Sequence, residues 1–184
     1  MEFKTVLNIL INSFNKEHVE YALVGGFALG ILGVHRATVD MDFLVLSDDQ
    51  AKIDSILKEN GYECTYKSDN VSQYTSPLKV FGEVDFIHAF RDISVSMLRR
   101  AVEKDIFDKE LKIKVLIPED IIGLKVQALI NNEERAVQEY SDIESLMVHY
   151  NKQLDWELIE EYFLLFDLKE KYEQLKVRYG QVKR

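Results

Sequence analysis

With 184 residues and a formal net charge of −9, the chain can bury a full hydrophobic core, and its acidity argues against a broad nucleic-acid-coating face. A single cysteine, Cys64, excludes an internal disulfide and a cysteine-based zinc site and fits a reducing compartment. The longest uncharged run, Tyr21 to Val34, holds fourteen residues and four glycines, too short for a membrane span, and the N-terminus reads as an amphipathic helix instead of a secretion signal; a cytoplasmic protein with no membrane partner is expected.

Taken in order, Phe3, Leu7, Leu10 and Phe14 repeat at helical spacing and predict a first amphipathic helix. Tyr21–Val24 reads as a short strand, broken by Gly25-Gly26, with a compact helix from Phe27 to Leu32 ending near Gly33. His35–Val39 is polar and extended and leads into Asp40-Met41-Asp42-Phe43-Leu44-Val45-Leu46, whose apolar continuation predicts a buried central strand. Asp48-Asp49 caps a helix over 50–60 that closes at Gly61. Strands are expected at 62–66, at 73–75 and 79–81 on either side of Pro77, and at 84–87. A helix is expected over 93–103 and a strand over 112–117. Pro118-Glu119-Asp120 opens a run of helices; their apolar stripes lie at Ile122, Val126 and Leu129, at Val137 to Tyr150, at Trp156 to Phe166 and at Leu168 to Tyr179. The residues therefore predict a mixed α/β half over 1–117 and an all-helical half over 118–184 packed on it as one unit.

The chemistry concentrates between Val24 and Val45. Residues i and i+2 of a strand share a face, so Asp40 and Asp42 stand side by side while Met41 turns into the core. Two like charges on one face repel unless a cation sits between them, and oxygen-only donors suit Mg²⁺ or Mn²⁺. Asp85, in Gly-Glu-Val-Asp-Phe-Ile-His, shows the same in–out phase. If its strand neighbours the Asp40 strand, three carboxylates meet, enough to hold two ions about 3.5–4 Å apart. Each acid alone also reads as an ordinary strand-edge carboxylate. Gly25-Gly26, opening a helix after a strand, lets backbone amides approach a phosphate, though such pairs also serve packing alone. No Walker A sequence is present. The glycines at 25, 26, 30 and 33 fit a dinucleotide fingerprint poorly; Asp48 would be its ribose acid. The histidines at 18, 35, 88 and 149 have no metal-ligand spacing, although His88 is close enough to Asp85 in sequence to line a site.

A strand, Gly-Gly, a short helix, Arg36-x-Thr38-x-Asp40-x-Asp42 and a later apolar-Asp85-apolar strand resembles the DNA polymerase β-like nucleotidyltransferase superfamily. Within it the chain resembles the minimal prokaryotic members of the AbiEii toxin type. The resemblance implies a nucleotidyltransferase-type mixed β-sheet flanked by helices, and transfer of a nucleoside monophosphate from a triphosphate such as ATP to a hydroxyl acceptor. Carried over by position, Asp40, Asp42 and Asp85 bind two metal ions and catalyse. Gly25, Gly26, Arg36 and Thr38 bind the nucleotide, joined by Lys125 of Gly-Leu-Lys-Val-Gln-Ala-Leu. Asp142 of Ser-Asp-Ile-Glu-Ser-Leu supports the site. Relatives often carry Lys-Asp three residues ahead of that last acid, where this chain has Gln138-Glu139, and many carry Gly-Ser where it has Gly-Gly. Read from the residues alone, Lys125 is equally a lysine snorkelling on a helix face. The implied partners are a nucleoside triphosphate, an acceptor that is RNA, protein or a small molecule, and a cognate antitoxin. The competing reading is a nucleotide-binding module that keeps the fold without turnover.

Overall fold

The computed structural model describes residues 1–180; the last four residues of the expected helical half lie outside the described residues. The described chain divides into two compact units, one formed by Met1–Ile31 with His35–Leu116, the other by Leu32–Val34 with the residues from Ile117 onward.

The first unit is a mixed sheet flanked by helices. Its elements are α1 (Phe3–Lys16), β1 (Tyr21–Val24), α2 (Gly25–Ile31), β2 (Asp40–Leu46), α3 (Gln50–Glu59), β3 (Glu63–Lys67), β4 (Val71–Thr75), β5 (Glu83–Ala89), α4 (Asp92–Arg100), β6 (Val102–Ile106) and β7 (Leu111–Val115). Among the described residues the sheet has seven strands, in the order β3-β4-β5-β2-β1-β7-β6. The two central partners β2 and β5 run parallel, in continuous register from Asp40↔Glu83 to Leu46↔Ala89. β1 lies antiparallel to β2 and parallel to β7. Alternation decides which side of the sheet is dry. Met41, Phe43 and Val45 of β2 and Val84, Phe86 and His88 of β5 are buried, whereas Asp40, Asp42, Asp85 and Ile87 are half-buried. The buried face is an aromatic layer: Phe14 of α1 meets Tyr21, Phe43 and Phe86 at ring separations of 5.3, 5.6 and 6.2 Å, in the tilted and edge-on arrangements that ring quadrupoles favour.

Two of the expected elements fail here. Residues 79–81 form no strand; Ser76–Gly82 is a loop, closed by the Ser76 N–H on the Gly82 carbonyl at 3.2 Å and by a turn from Phe81 to Leu78. Pro77 lacks a ladder donor and Gly82 adopts φ +66°, so the segment cannot continue a sheet. The helix expected over 93–103 stops at Arg100, and Val102–Ile106 is a strand. Val-Glu-Lys-Asp-Ile is an edge strand, exposed along nearly its whole length, so it shows no apolar alternation, and its charges read instead as the polar face of a continuing helix.

The second unit holds α5 (Pro118–Asn131), α6 (Ala136–Tyr150), α7 (Trp156–Leu165) and α8 (Lys169–Tyr179). Pro118 occupies the first turn of α5, where its missing N–H has no partner to lose. The Asp155 carboxylate caps α7, accepting from the N–H groups of Glu157 and Leu158 at 3.0 and 3.1 Å. Tyr162, Phe163 and Tyr172 are buried to 1% exposure or less and form the core of this unit. The short Leu32–Val34 segment is tied to α6. The Tyr150 hydroxyl donates to the Leu32 carbonyl at 3.0 Å, and the His149 ring lies where a side chain on Gly33 would have to go.

Candidate active site

Strand alternation and sheet register together build the candidate site. Asp40 and Asp42 lie two residues apart on one face of β2. The parallel pairing sets Asp42 directly beside Asp85 and Asp40 beside Glu83. Neighbouring strands are about 4.8 Å apart, so the carboxylates of the two strands share one patch. Glu83 is the acid that the sequence reading missed. Its signal was present, since Glu83-Val84-Asp85 repeats the acid-apolar-acid pattern of Asp40-Met41-Asp42.

The Gly-Gly turn lies against this patch. Val24 pairs with Asp42 across the antiparallel β1–β2 ladder, so Gly25 follows immediately over the carboxylate. Gly25 has φ +66°, and a Cβ there would fall 1.8 Å from Asp42 Oδ2. No other residue type fits without moving Asp42. Gly26 is buried, and a Cβ on it would lie 2.8 Å from the Thr38 side chain and 3.7 Å from Arg36 Nε. The loop carrying Arg36 and Thr38 thus folds over the glycine pair. The Thr38 hydroxyl donates to Asp40 Oδ1 at 2.6 Å, and Gln73 Nε2 of β4 donates to Asp85 Oδ2 at 2.9 Å. These charge-assisted bonds orient each carboxylate. In this arrangement no three His, Cys, Asp or Glu side chains among the described residues form a ready cage for a metal ion.

His88 is not part of this constellation. Three residues beyond Asp85, it falls on the opposite, buried face of β5, 3% exposed. Its Nδ1 lies 2.7 Å from Gln50 Nε2 and 3.1 Å from the Asp69 carbonyl, and its Nε2 lies 3.0 Å from Ser72 Oγ. Burial depresses its basicity below the ordinary imidazole value, the largest of the influences on it. Nearby, burial alone would push the Asp54 carboxyl up, but hydrogen bonds from Lys67 and Tyr74 hold it below the usual range.

Lys125 and Asp142 belong to the second unit, and the structure joins them. Lys125 is 6% exposed, which rules out a lysine snorkelling on a surface. Its ammonium meets Glu139 Oε2 at 2.8 Å and Asp142 Oδ2 at 2.5 Å. Arg135 reaches Glu139 Oε1 at 3.2 Å, and Gln138 Nε2 donates to Asp142 Oδ1 at 3.1 Å. Glu139, noted from sequence only as a departure from relatives, is thus a direct partner of Lys125. The spacing of 139 and 142 on one face of α6 was its signal.

A mixed sheet with two acids on one central strand, a third beside them on a parallel neighbour and a Gly-Gly turn over the first pair is the arrangement that the resemblance to nucleotidyltransferases implies. Solved structures agree on the fold. The chain is similar to the antibiotic-resistance factor ANT(2'')-Ia, with a TM-score of 0.66 and 16% identity over 98% of this chain and 99% of that one. It is similar to the lincosamide antibiotic adenylyltransferase LnuA, with a TM-score of 0.54 and 15% identity over 77% and 94%. A third is an antigenic nucleotidyltransferase-like protein from Paracoccidioides brasiliensis, at 0.56 and 20% over 97% and 92%. No curated protein matches the sequence significantly. Residues 7–179 match the family described as "Nucleotidyl transferase AbiEii toxin, Type IV TA system", and the chain belongs to that family. It is a nucleotidyltransferase. Among the described residues no helix is long and apolar enough to cross a membrane.

Proposed function

We propose that this chain moves a nucleoside monophosphate from a nucleoside triphosphate to a hydroxyl acceptor. The observation supporting this is the in-register pairing of Asp42 with Asp85 beside Asp40, under a glycine pair that leaves no room for a side chain. The donor set of three carboxylates on one face fits a hard divalent cation, Mg²⁺ or Mn²⁺. Asp40, Asp42 and Asp85 would hold two such ions. Bound there, such ions would neutralise triphosphate charge and favour ionisation of the acceptor hydroxyl.

The chain's own groups do the rest. The backbone of Gly25-Gly26 approaches the triphosphate, and Arg36 supplies positive charge beside it. Thr38 fixes the Asp40 carboxylate and Gln73 fixes Asp85. The Asp85 carboxylate takes the acceptor proton as the acceptor oxygen bonds to the α-phosphorus. The bond from that phosphorus to the bridging oxygen breaks, and pyrophosphate leaves. Catalysis here is positioning and charge stabilisation. Lys125 carries over as a nucleotide-binding residue only by the resemblance; within its own unit Glu139 and Asp142 hold its ammonium. In the setting that the family description names, the protein acts in the cytoplasm as the toxin of a toxin–antitoxin pair and is restrained by a cognate antitoxin.

The test incubates the protein with Mg²⁺, each α-labelled triphosphate and total cell RNA or lysate. Label should pass to an acceptor with stoichiometric pyrophosphate, and Asp42→Asn should cut the rate by at least ~10²–10³-fold while the protein still folds. Thermal stabilisation by Mg²⁺ and triphosphate with no pyrophosphate formed would identify a binding module instead.

A further inference from the structure

The segment from Leu32 to Val39, between α2 and β2, belongs to neither helix nor strand. Its exposure nevertheless alternates strictly. Leu32 and Val34 are buried and Arg36 and Thr38 half-buried, whereas Gly33, His35, Ala37 and Val39 are exposed. Period two is the mark of extended chain with one inward face. Extended chain has little slack, so a shift at one end of such a strap reaches the other. It lacks the ladder bonds that fix a paired strand, and its position depends on what grips it.

Both ends are gripped. At the far end the Thr38 hydroxyl donates to Asp40 Oδ1 at 2.6 Å, and the Thr38 and Arg36 side chains lie over Gly26. At the near end Tyr150, the last residue of α6, donates its hydroxyl to the Leu32 carbonyl at 3.0 Å. Gly33 adopts φ +86°, and the His149 ring stands 2.8 Å from the position its Cβ would take. The His149 and Tyr150 rings brace each other edge to face, 5.0 Å apart. Burial, and after it the charge of Glu119, push the Tyr150 hydroxyl above its ordinary range, so at neutral pH it stays protonated and a donor. Leu32–Val34 groups with the helices from Ile117 onward and the residues from His35 with the sheet; the peptide chain itself is the connection.

We propose that Tyr150 is a positioning residue for nucleotidyl transfer: its grip on the Leu32 carbonyl holds the strap that presents Arg36 and Thr38 at the glycine turn. Tyr150 touches no reacting group and acts through the strap. Its effect on the reaction rests on the nucleotide-binding reading of Arg36, whereas the strap can be probed without nucleotide.

Tyr150→Phe deletes the donor and keeps the ring. Tyr172→Phe is its matched control, because the Tyr172 hydroxyl also donates to a backbone carbonyl of this unit, that of Trp156, at 3.0 Å. Urea titration should show similar, small stability losses in both. Calorimetric titration of the full chain with Mg²⁺ and each triphosphate should show about 3–10-fold weaker binding in Tyr150→Phe, the worth of one hydrogen bond, and wild-type binding in Tyr172→Phe. Gly33→Ala, which pushes the strap off the His149 ring, should reproduce the Tyr150→Phe effect. In an Arg36→Ala background Tyr150→Phe should add nothing, since the strap then carries no charge to misplace; a residue serving the fold alone would weaken binding equally with and without Arg36. Without nucleotide, hydrogen exchange over residues 35–39 should quicken in Tyr150→Phe and not in Tyr172→Phe. Unchanged triphosphate affinity in both Tyr150→Phe and Gly33→Ala, equal weakening in the two backgrounds, or unchanged exchange over 35–39 would overturn the positioning role. A wild type that binds no triphosphate overturns the nucleotide reading itself, and the exchange data then decide the strap alone.

Discussion

The two units of this protein handle clustered carboxylates in opposite ways. On β2 and β5 of the first unit, Asp40, Asp42 and Asp85 stay half-buried, and two of them accept a neutral donor, Thr38 or Gln73. On α6 of the second unit, Glu139 and Asp142 are nearly dry and clamp a lysine, itself dry, between them. Half-exposure leaves the first group within reach of solvent and of a ligand from outside. Burial makes the second group depend on Lys125, because an ion removed from water is tolerable only when paired. A carboxylate cluster suited to ligand exchange and one suited to holding a helix pair in place are therefore distinguished by solvent access more than by residue type.

Breaking the buried partner should have the largest effect. Lys125→Met leaves two dry carboxylates without their cation and should cost about 3–5 kcal/mol of stability, read by chemical denaturation. Adding Glu139→Gln and Asp142→Asn to Lys125→Met should recover much of the loss. An unaltered midpoint in Lys125→Met would mean that the ion cluster contributes nothing to holding α5 on α6.

Perturbing the wet cluster should be milder for the fold and harsher for chemistry. Gly25→Ala places a Cβ on the Asp42 carboxylate at a left-handed φ and should cost about 1–3 kcal/mol of stability. Displacement of Asp42 should lower nucleotidyl transfer about 10²-fold. Wild-type transfer by the alanine variant would show that Asp42 need not stay where the glycine seats it.

The smallest expected effect concerns His88, on the dry face of the strand that carries Asp85. Its folded basicity lies below the ordinary value of 6.5, so the unfolded chain takes up the proton first as pH falls. The stability contributed by the neutral ring is complete above pH 6.5 and is lost progressively below it, as pH falls toward the folded value. Wild type should therefore lose more stability between pH 7.5 and 5.5 than His88→Gln, in paired urea titrations. Equal losses would remove His88 from the acid response.

The sequence by itself determined the alternation that puts Asp40 and Asp42 on one side of a strand and Met41 on the other, because that period is set within a few residues of backbone. The same local rule, carried three positions from Asp85, turns His88 to the opposite face, although nearness in sequence had suggested that it could line the site. It also marked the Gly-Gly break and the helical second unit, whose apolar stripes repeat within single turns. Only the tertiary structure decided the rest. That Asp42 stands beside Asp85 and that Glu83 joins them both follow from a pairing between strands some forty residues apart, and register across a sheet leaves no local trace. Val102–Ile106 escaped recognition because an exposed edge strand needs no apolar alternation. Lys125 could be read equally as a phosphate-binding or a surface lysine because burial of a charge depends on its partners, and these, Glu139 and Asp142, sit on the next helix.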